Sequence, residues 1–211
     1  MIIIVAISFA TGSTLAKIAF DHGATPLSVL TCRTAMAAIS VFVILKLWGI
    51  PMGLPTRIRW TAIGMGALVA VYSYGLLGSI EHIPVALAVL TFYLYPILTS
   101  VGSWVVGQEN ITPRIIVCLI TAFIGLGLAL DIGGDFNSLG ISMAAGAAIM
   151  FTILLLITNH LVAEQDSRPI SLHMMSSATF IYLVIDLNIG NFPLPTSFEG
   201  IAAYVGSGLF F

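Results

Sequence analysis

The sequence predicts an all-α polytopic membrane protein. Three observations carry that prediction: very few charges, apolar runs long enough to cross a bilayer, and basic residues confined to one side of those runs. Of the 211 residues, 59% are hydrophobic and 8% charged, with 7 Lys+Arg against 9 Asp+Glu. A water-facing surface needs roughly 25–35% charged positions. The mean hydropathy of +1.10 therefore makes lipid the solvent of most of this surface. The same count argues against a soluble enzyme, and a net charge of −2 leaves no basic stripe for nucleic acid. Cys32 and Cys118 lie inside apolar runs, where they read as small hydrophobes; there is neither a disulfide framework nor a CxxC metal motif.

A helix needs about 20 apolar residues to span the hydrocarbon, and polar, Gly or Pro punctuation bounds such runs. Seven complete runs appear, at 2–20, 27–48, 60–80, 85–106, 113–130, 139–163 and 170–187, and an eighth begins at 199. They are too long for the alternating 9–11-residue strands of a membrane barrel, so helices are expected throughout. The first run lacks a basic leader region and a small-residue cleavage site, and reads as a span rather than a signal peptide.

Orientation follows from the cations near the helix ends. Lys46, Arg57, Arg59, Arg114 and Arg168 all fall at even-numbered connectors, whereas the odd connectors carry Asp21, Glu81, Asp131, Asp135 and Asp186 at or near them. The positive-inside rule then puts the N-terminus and the even connectors in the cytoplasm of a multi-pass protein of the cell membrane.

Internal similarity points to a duplicated architecture. Pro26-Leu27-Ser28-Val29 opens the second span and Pro169-Ile170-Ser171-Leu172 the seventh, 143 positions later; Gly64-x-Gly66 in the third span meets Gly206-x-Gly208 in the eighth, 142 positions later. The expectation is an inverted repeat of five-helix units, residues 1–131 forming the first and 139–211 part of a second. On this reading about seven to eight of ten expected transmembrane helices are present, and the second unit is truncated. An intact protein of seven or eight spans is the alternative.

Several residues carry candidate chemistry. Thr91, Tyr95, Thr99 and Ser103 recur every fourth position and share one slowly drifting helix face. That face reads either as a cavity wall or as a close helix contact. Pro96 removes a backbone donor and frees the carbonyl of Phe92, so a kink with a gating role is expected there. Tyr72 and Tyr74 offer rings to the same ligand or pack in an aromatic belt. Arg33 lies about 9 Å inside the second span; it reads as a holder of an anionic group or as a partner of Asp186. Lys17 sits one turn before Asp21, which favours an ion pair. His173 and Ser177 share a face of the seventh span, and Asn159-His160 adds a polar pair in the sixth; proton relay and interhelical hydrogen bonding are both open. Gly107 and Glu109 read as structural turn residues, followed by Thr112 and Pro113 as helix cap and first helical residue.

Gly12-Ser13 and Lys17 in the first span, Arg33 in the second and Tyr95-Pro96-Ile97-Leu98 in the fourth are followed by Gly107-Gln108-Glu109-Asn110-Ile111-Thr112 and then Gly125-x-Gly127. In this order they resemble the EamA-like family of the drug/metabolite transporter superfamily, over residues 2–130. The resemblance implies two inverted five-helix bundles around a central cavity. It further implies a gradient-driven or facilitated transporter, acting by export and alternating access, for an amino acid, another small metabolite or a drug-like compound. Thr14, Arg33, Tyr72, Tyr74, Thr91, Tyr95 and Thr99 are the expected substrate-binding residues. No catalytic residue, metal or cofactor is expected, because the four histidines are scattered and no P-loop is present. The expected partners are the small-molecule substrate, the lipid bilayer and, as an option, a second copy of the chain, with no nucleic acid. A non-transporting sensor or assembly subunit is the alternative, with a membrane-embedded enzyme a more remote one.

Overall fold

A computed structural model describes residues 2–107, 112–129, 137–162, 166–189 and 194–209. The described residues form helices α1 (Ile2–Asp21), α2 (Pro26–Leu47), α3 (Thr56–Ser79), α4 (Val85–Phe92), α5 (Tyr95–Val105), α6 (Pro113–Ala129), α7 (Ser138–Val162), α8 (Ser167–Ile189) and α9 (Phe198–Leu209). There is no strand among them. Among the described residues, five stretches are long and apolar enough to cross a membrane: Pro26–Leu47, Thr56–Ser79, Val85–Val105, Ser138–Asn159 and Ser167–Asn188. Seven of the eight apolar runs each overlap one helix, and two differences from the sequence reading have identifiable reasons. α3 starts at Thr56, so Arg57 and Arg59 lie in its first turn rather than in the connector. Hydropathy alone cuts a helix where charge begins, but the backbone helix reaches back to Thr56, just after Pro55.

The second difference is the run at 85–106, which is two helices and not one. The Tyr93 N–H still bonds the Val89 carbonyl at 2.9 Å, but the Leu94 N–H reaches back only three residues, to Thr91, at 3.2 Å. α5 then restarts with Pro96 in its first two positions, where a missing N–H costs no helical bond.

The turns are set by local chemistry. α2 begins with a capping box: the Ser28 N–H donates to the Thr25 hydroxyl at 3.3 Å, and the Thr25 N–H to the Ser28 hydroxyl at 3.2 Å. Thr25→Ala is expected to lower stability by about 1 kcal/mol, read as a reduced unfolding midpoint in detergent. At its other end α2 stops on Gly49, whose φ of 65° is a left-handed conformation that a Cβ would strain. The Gly49 and Ile50 N–H groups there bond the Lys46 and Leu45 carbonyls at 3.3 and 2.9 Å, satisfying two end carbonyls of the helix.

The chain divides into two compact units, residues 1–70 with 166–211, and 71–165. In the first, α2 packs on α8 and α9, and α1 on α9. Small residues allow the approach: a Cβ on Gly66 would collide with the Met174 carbonyl oxygen and lie 2.6 Å from Ser177 Cβ. Side chains then tie the backbones together. The Tyr182 hydroxyl donates to the Ala70 carbonyl at 2.8 Å, Ser177 to Ile63 at 3.0 Å, and the Tyr204 hydroxyl to the Ser28 carbonyl at 2.8 Å. In the second unit α4 and α5 lie on α7. A Cβ on Gly75 would come 3.1 Å from the Met143 carbonyl, and one on Gly102 would come 2.8 Å from the Leu156 side chain.

Candidate functional site

The second unit gathers aromatic rings at the interrupted span. Tyr95, at the start of α5, meets Phe151 of α7 edge to face, with centroids 4.8 Å apart and planes at 84°. Phe92, the last residue of α4, lies 5.3 Å from both Tyr95 and Phe151. Tyr72 of α3 closes the cluster 4.9 Å from Phe151, and Tyr93 stands 5.9 Å from Tyr95. The tilted and edge-on geometry is the favourable one for rings with negative faces and positive edges.

Hydroxyls continue this surface. Thr99 donates to Thr152 at 3.5 Å, and Thr152 donates to the Tyr95 carbonyl at 3.4 Å, which links α5 to α7 one turn from the break. Beside the break, Tyr93, Pro96 and Ile97 together with Leu119, Ala122 and Phe123 of α6 bound a cavity of about 230 Å³. The lining is apolar and aromatic, with Tyr93 the residue in it that carries a hydroxyl, which suits a small amphipathic solute.

The sequence-derived candidates separate accordingly. Tyr72, Tyr95 and Thr99 come together. Thr91 turns its hydroxyl onto the Leu87 carbonyl of its own helix at 2.8 Å. Tyr74 is 47% exposed and away from the cluster, because two residues turn a helix by about 200° and two positions so spaced cannot share a face. Gly107 follows α5 at a φ of 73°, its N–H bonding the Trp104 carbonyl at 3.0 Å. Glu109 lies outside the described residues. Thr14 is an exposed residue of α1, in the other unit. Phe151 and Thr152 escaped the sequence reading, since an aromatic-hydroxyl pair inside an apolar run has no periodic signal of its own.

The first unit buries its charges. Arg33 and Asp186 are 2% and 5% exposed, on the contacting helices α2 and α8. The Thr31 hydroxyl lies 2.7 Å from Asp186 Oδ2, and α9 covers Arg33, since a Cβ on Gly208 would lie 3.6 Å from the Arg33 Cα. This is a packed polar core rather than an open wall. Nearer the end of α1, Lys17 pairs with Asp21 at 3.4 Å, as the i, i+4 spacing predicts. His173 and Ser177 line a separate groove of the first unit. Among the described residues no group of three or more His, Cys, Asp or Glu is placed to hold a metal ion.

Long apolar helices, a buried Arg and Asp, and small-residue contacts define an all-helical, multi-pass membrane protein. Its sequence matches the profile of the EamA-like transporter family over residues 1–130. The chain belongs to that family, a transporter family of the drug/metabolite transporter superfamily. A protein of known crystal structure, 19% identical, shares the fold with a TM-score of 0.68, over 99% of this chain and 78% of that one. No curated protein matches the chain.

Proposed function

We propose that the chain is a gradient-driven or facilitated transporter that exports a small polar or amphipathic metabolite, such as an amino acid or drug-like compound, by alternating access. The observation that carries this is the interruption at Tyr93-Leu94. A span broken inside the membrane releases backbone groups from the helix ladder, and secondary transporters place their substrates at such breaks. Here the break is surrounded by Tyr72, Tyr93, Tyr95 and Phe151 and adjoins a cavity.

The inverted repeat is proposed on the same footing, and reciprocal contacts support it. The Gly66 of α3 sits against Met174 and Ser177 of α8; its sequence counterpart Gly208, of α9, sits against Arg33 and Met36 of α2. With α2 matched to α8 and α3 to α9, each glycine packs on the counterpart of the other's partner. Two repeats of opposite sense, with the N-terminus in the cytoplasm of the cell membrane, would rock against each other around the bound solute.

Counterflow of a labelled amino acid and metabolite mixture from proteoliposomes tests the reading. Tyr95→Ala is expected to reduce flux about tenfold at unchanged protein yield, the factor that corresponds to losing one aromatic contact of roughly 1.4 kcal/mol. Tyr95→Phe retains most of it. Absence of flux for every component, or equal flux for Tyr95→Ala and the parent, overturns the proposal.

A further inference from the structure

The groove of the first unit has a volume of about 680 Å³ and an almost wholly apolar wall. It runs along α2, α3 and α8 beside the Met52-Gly53 connector, with Phe42, Ile63 and Leu172 among its lining residues. Each of these three has a cation four residues, about one helical turn, nearer the connector end: Lys46 after Phe42, Arg59 before Ile63 and Arg168 before Leu172. Residues four apart lie on one helix face, which sets each cation next to a lining residue, at the connector end of the groove. Their long stems follow apolar surface while the charge stays at the interface.

Two further facts fix the level of this crown. Trp48 and Trp60, 67% and 64% exposed, flank the same connector, and exposed Trp in a membrane chain marks the headgroup layer. Deeper in, Phe180 lies thirteen residues beyond the first residue of α8, about 20 Å along the helix, close to the length of an extended acyl chain. The cations are not equally available. Arg168 is held by Asp166 at 2.7 Å, and this guanidinium keeps the exposed Asp166 carboxyl below its usual range. Lys46 and Arg59 are exposed and have no ion pair among the described residues.

The geometry points to a specific site for an anionic phospholipid, its acyl chain lying in the groove of α2, α3 and α8 and its phosphate held by Lys46 and Arg59. Polar groups part-way down, Ser176 and His173, meet the glycerol ester region. The His173 ring Nδ1 lies 2.9 Å from the Pro169 carbonyl, which only accepts, so this nitrogen donates there. Charge complementarity selects the occupant: a neutral lipid fills the same apolar wall but gains nothing from the cations. The site depends on the chain spanning a bilayer and not on its being a transporter.

Native mass spectrometry of the full chain, released from micelles holding equimolar phosphatidylglycerol and phosphatidylcholine, tests it. The parent is expected to retain phosphatidylglycerol selectively. Lys46→Gln with Arg59→Gln should lower that selectivity more than tenfold, about fivefold for each cation, while Arg114→Gln, a cation of the other unit, leaves it unchanged. Leu172→Trp, which fills the groove and leaves every cation in place, should reduce retention of both lipids. Equal retention of the two lipids by the parent overturns the site, as does selectivity that survives the double variant or falls equally with Arg114→Gln. Flux is not read in this experiment, so its failure leaves the transport reading standing.

Discussion

Gly66→Ala is expected to destabilise the folded chain by about 2–3 kcal/mol, whereas Gly64→Ala, two residues earlier, is expected to stay within about 0.5 kcal/mol of the parent. The contrast follows from what each new methyl group would meet. At Gly64 nothing lies within 4 Å. At Gly66 the obstacle is the Met174 backbone carbonyl, with Ser177 Cβ at 2.6 Å, and a backbone carbonyl in a helix cannot rotate aside as a long side chain does. Relief requires α3 and α8 to part, which also pulls on the Ser177 bond to Ile63 and the Tyr182 bond to Ala70. Membrane helices associate through such close packing, because lipid offers apolar contacts as good as a neighbouring helix does. Thermal unfolding in one detergent, followed by loss of the monodisperse species, distinguishes the two variants. Similar midpoints for both would mean that α3 does not lean on α8 at this point.

The same pair of glycines shows what a sequence discloses. Gly64-x-Gly66 and Gly206-x-Gly208 were visible as matching landmarks, and so were the helices, because burial in lipid demands length and apolarity and both are readable residue by residue. Which glycine of a pair touches a neighbour is a matter of helix rotation, and rotation is set by partners distant in the chain. The site divides in the same way. The four-residue spacing drew attention to Tyr95 and Thr99, which do face α7, but it also included Thr91, on the far side of a break that changes the phase of the face. Tyr72 and Tyr74 looked equivalent as neighbours in sequence, and the 200° between them removes one from the ring cluster. Phe151 and Thr152 became visible only through the partners that α7 brings to α5.

Arg33 and Asp186, buried on the contacting helices α2 and α8, are expected to be energetically coupled. Each is a charged residue buried within a span, and Asp186 is poorly served by hydrogen bonds. The Thr31 hydroxyl has one proton, and lies 2.7 Å from Asp186 Oδ2 and 3.0 Å from the Leu27 carbonyl; Oδ1 has no hydrogen-bond partner among the described residues. One neutral hydroxyl does not replace the hydration of a carboxylate. Among the described residues the other buried charged side chain is Arg33, on the facing helix α2, and it is expected to supply the compensating charge. Arg33→Met or Asp186→Leu alone leaves a buried charge uncompensated and is expected to cost about 3–5 kcal/mol. The double variant removes both charges and keeps apolar volume, so it should be more stable than either single one, with a coupling energy of at least about 2 kcal/mol. Thr31→Val, which removes only the hydroxyl, should cost about 1.5–3 kcal/mol. The double-mutant cycle is read from unfolding midpoints in detergent at fixed pH. Additive losses would show that the two charges do not stabilise each other, and the pairing of α2 with α8 would then rest on apolar packing and the Thr31 bond alone.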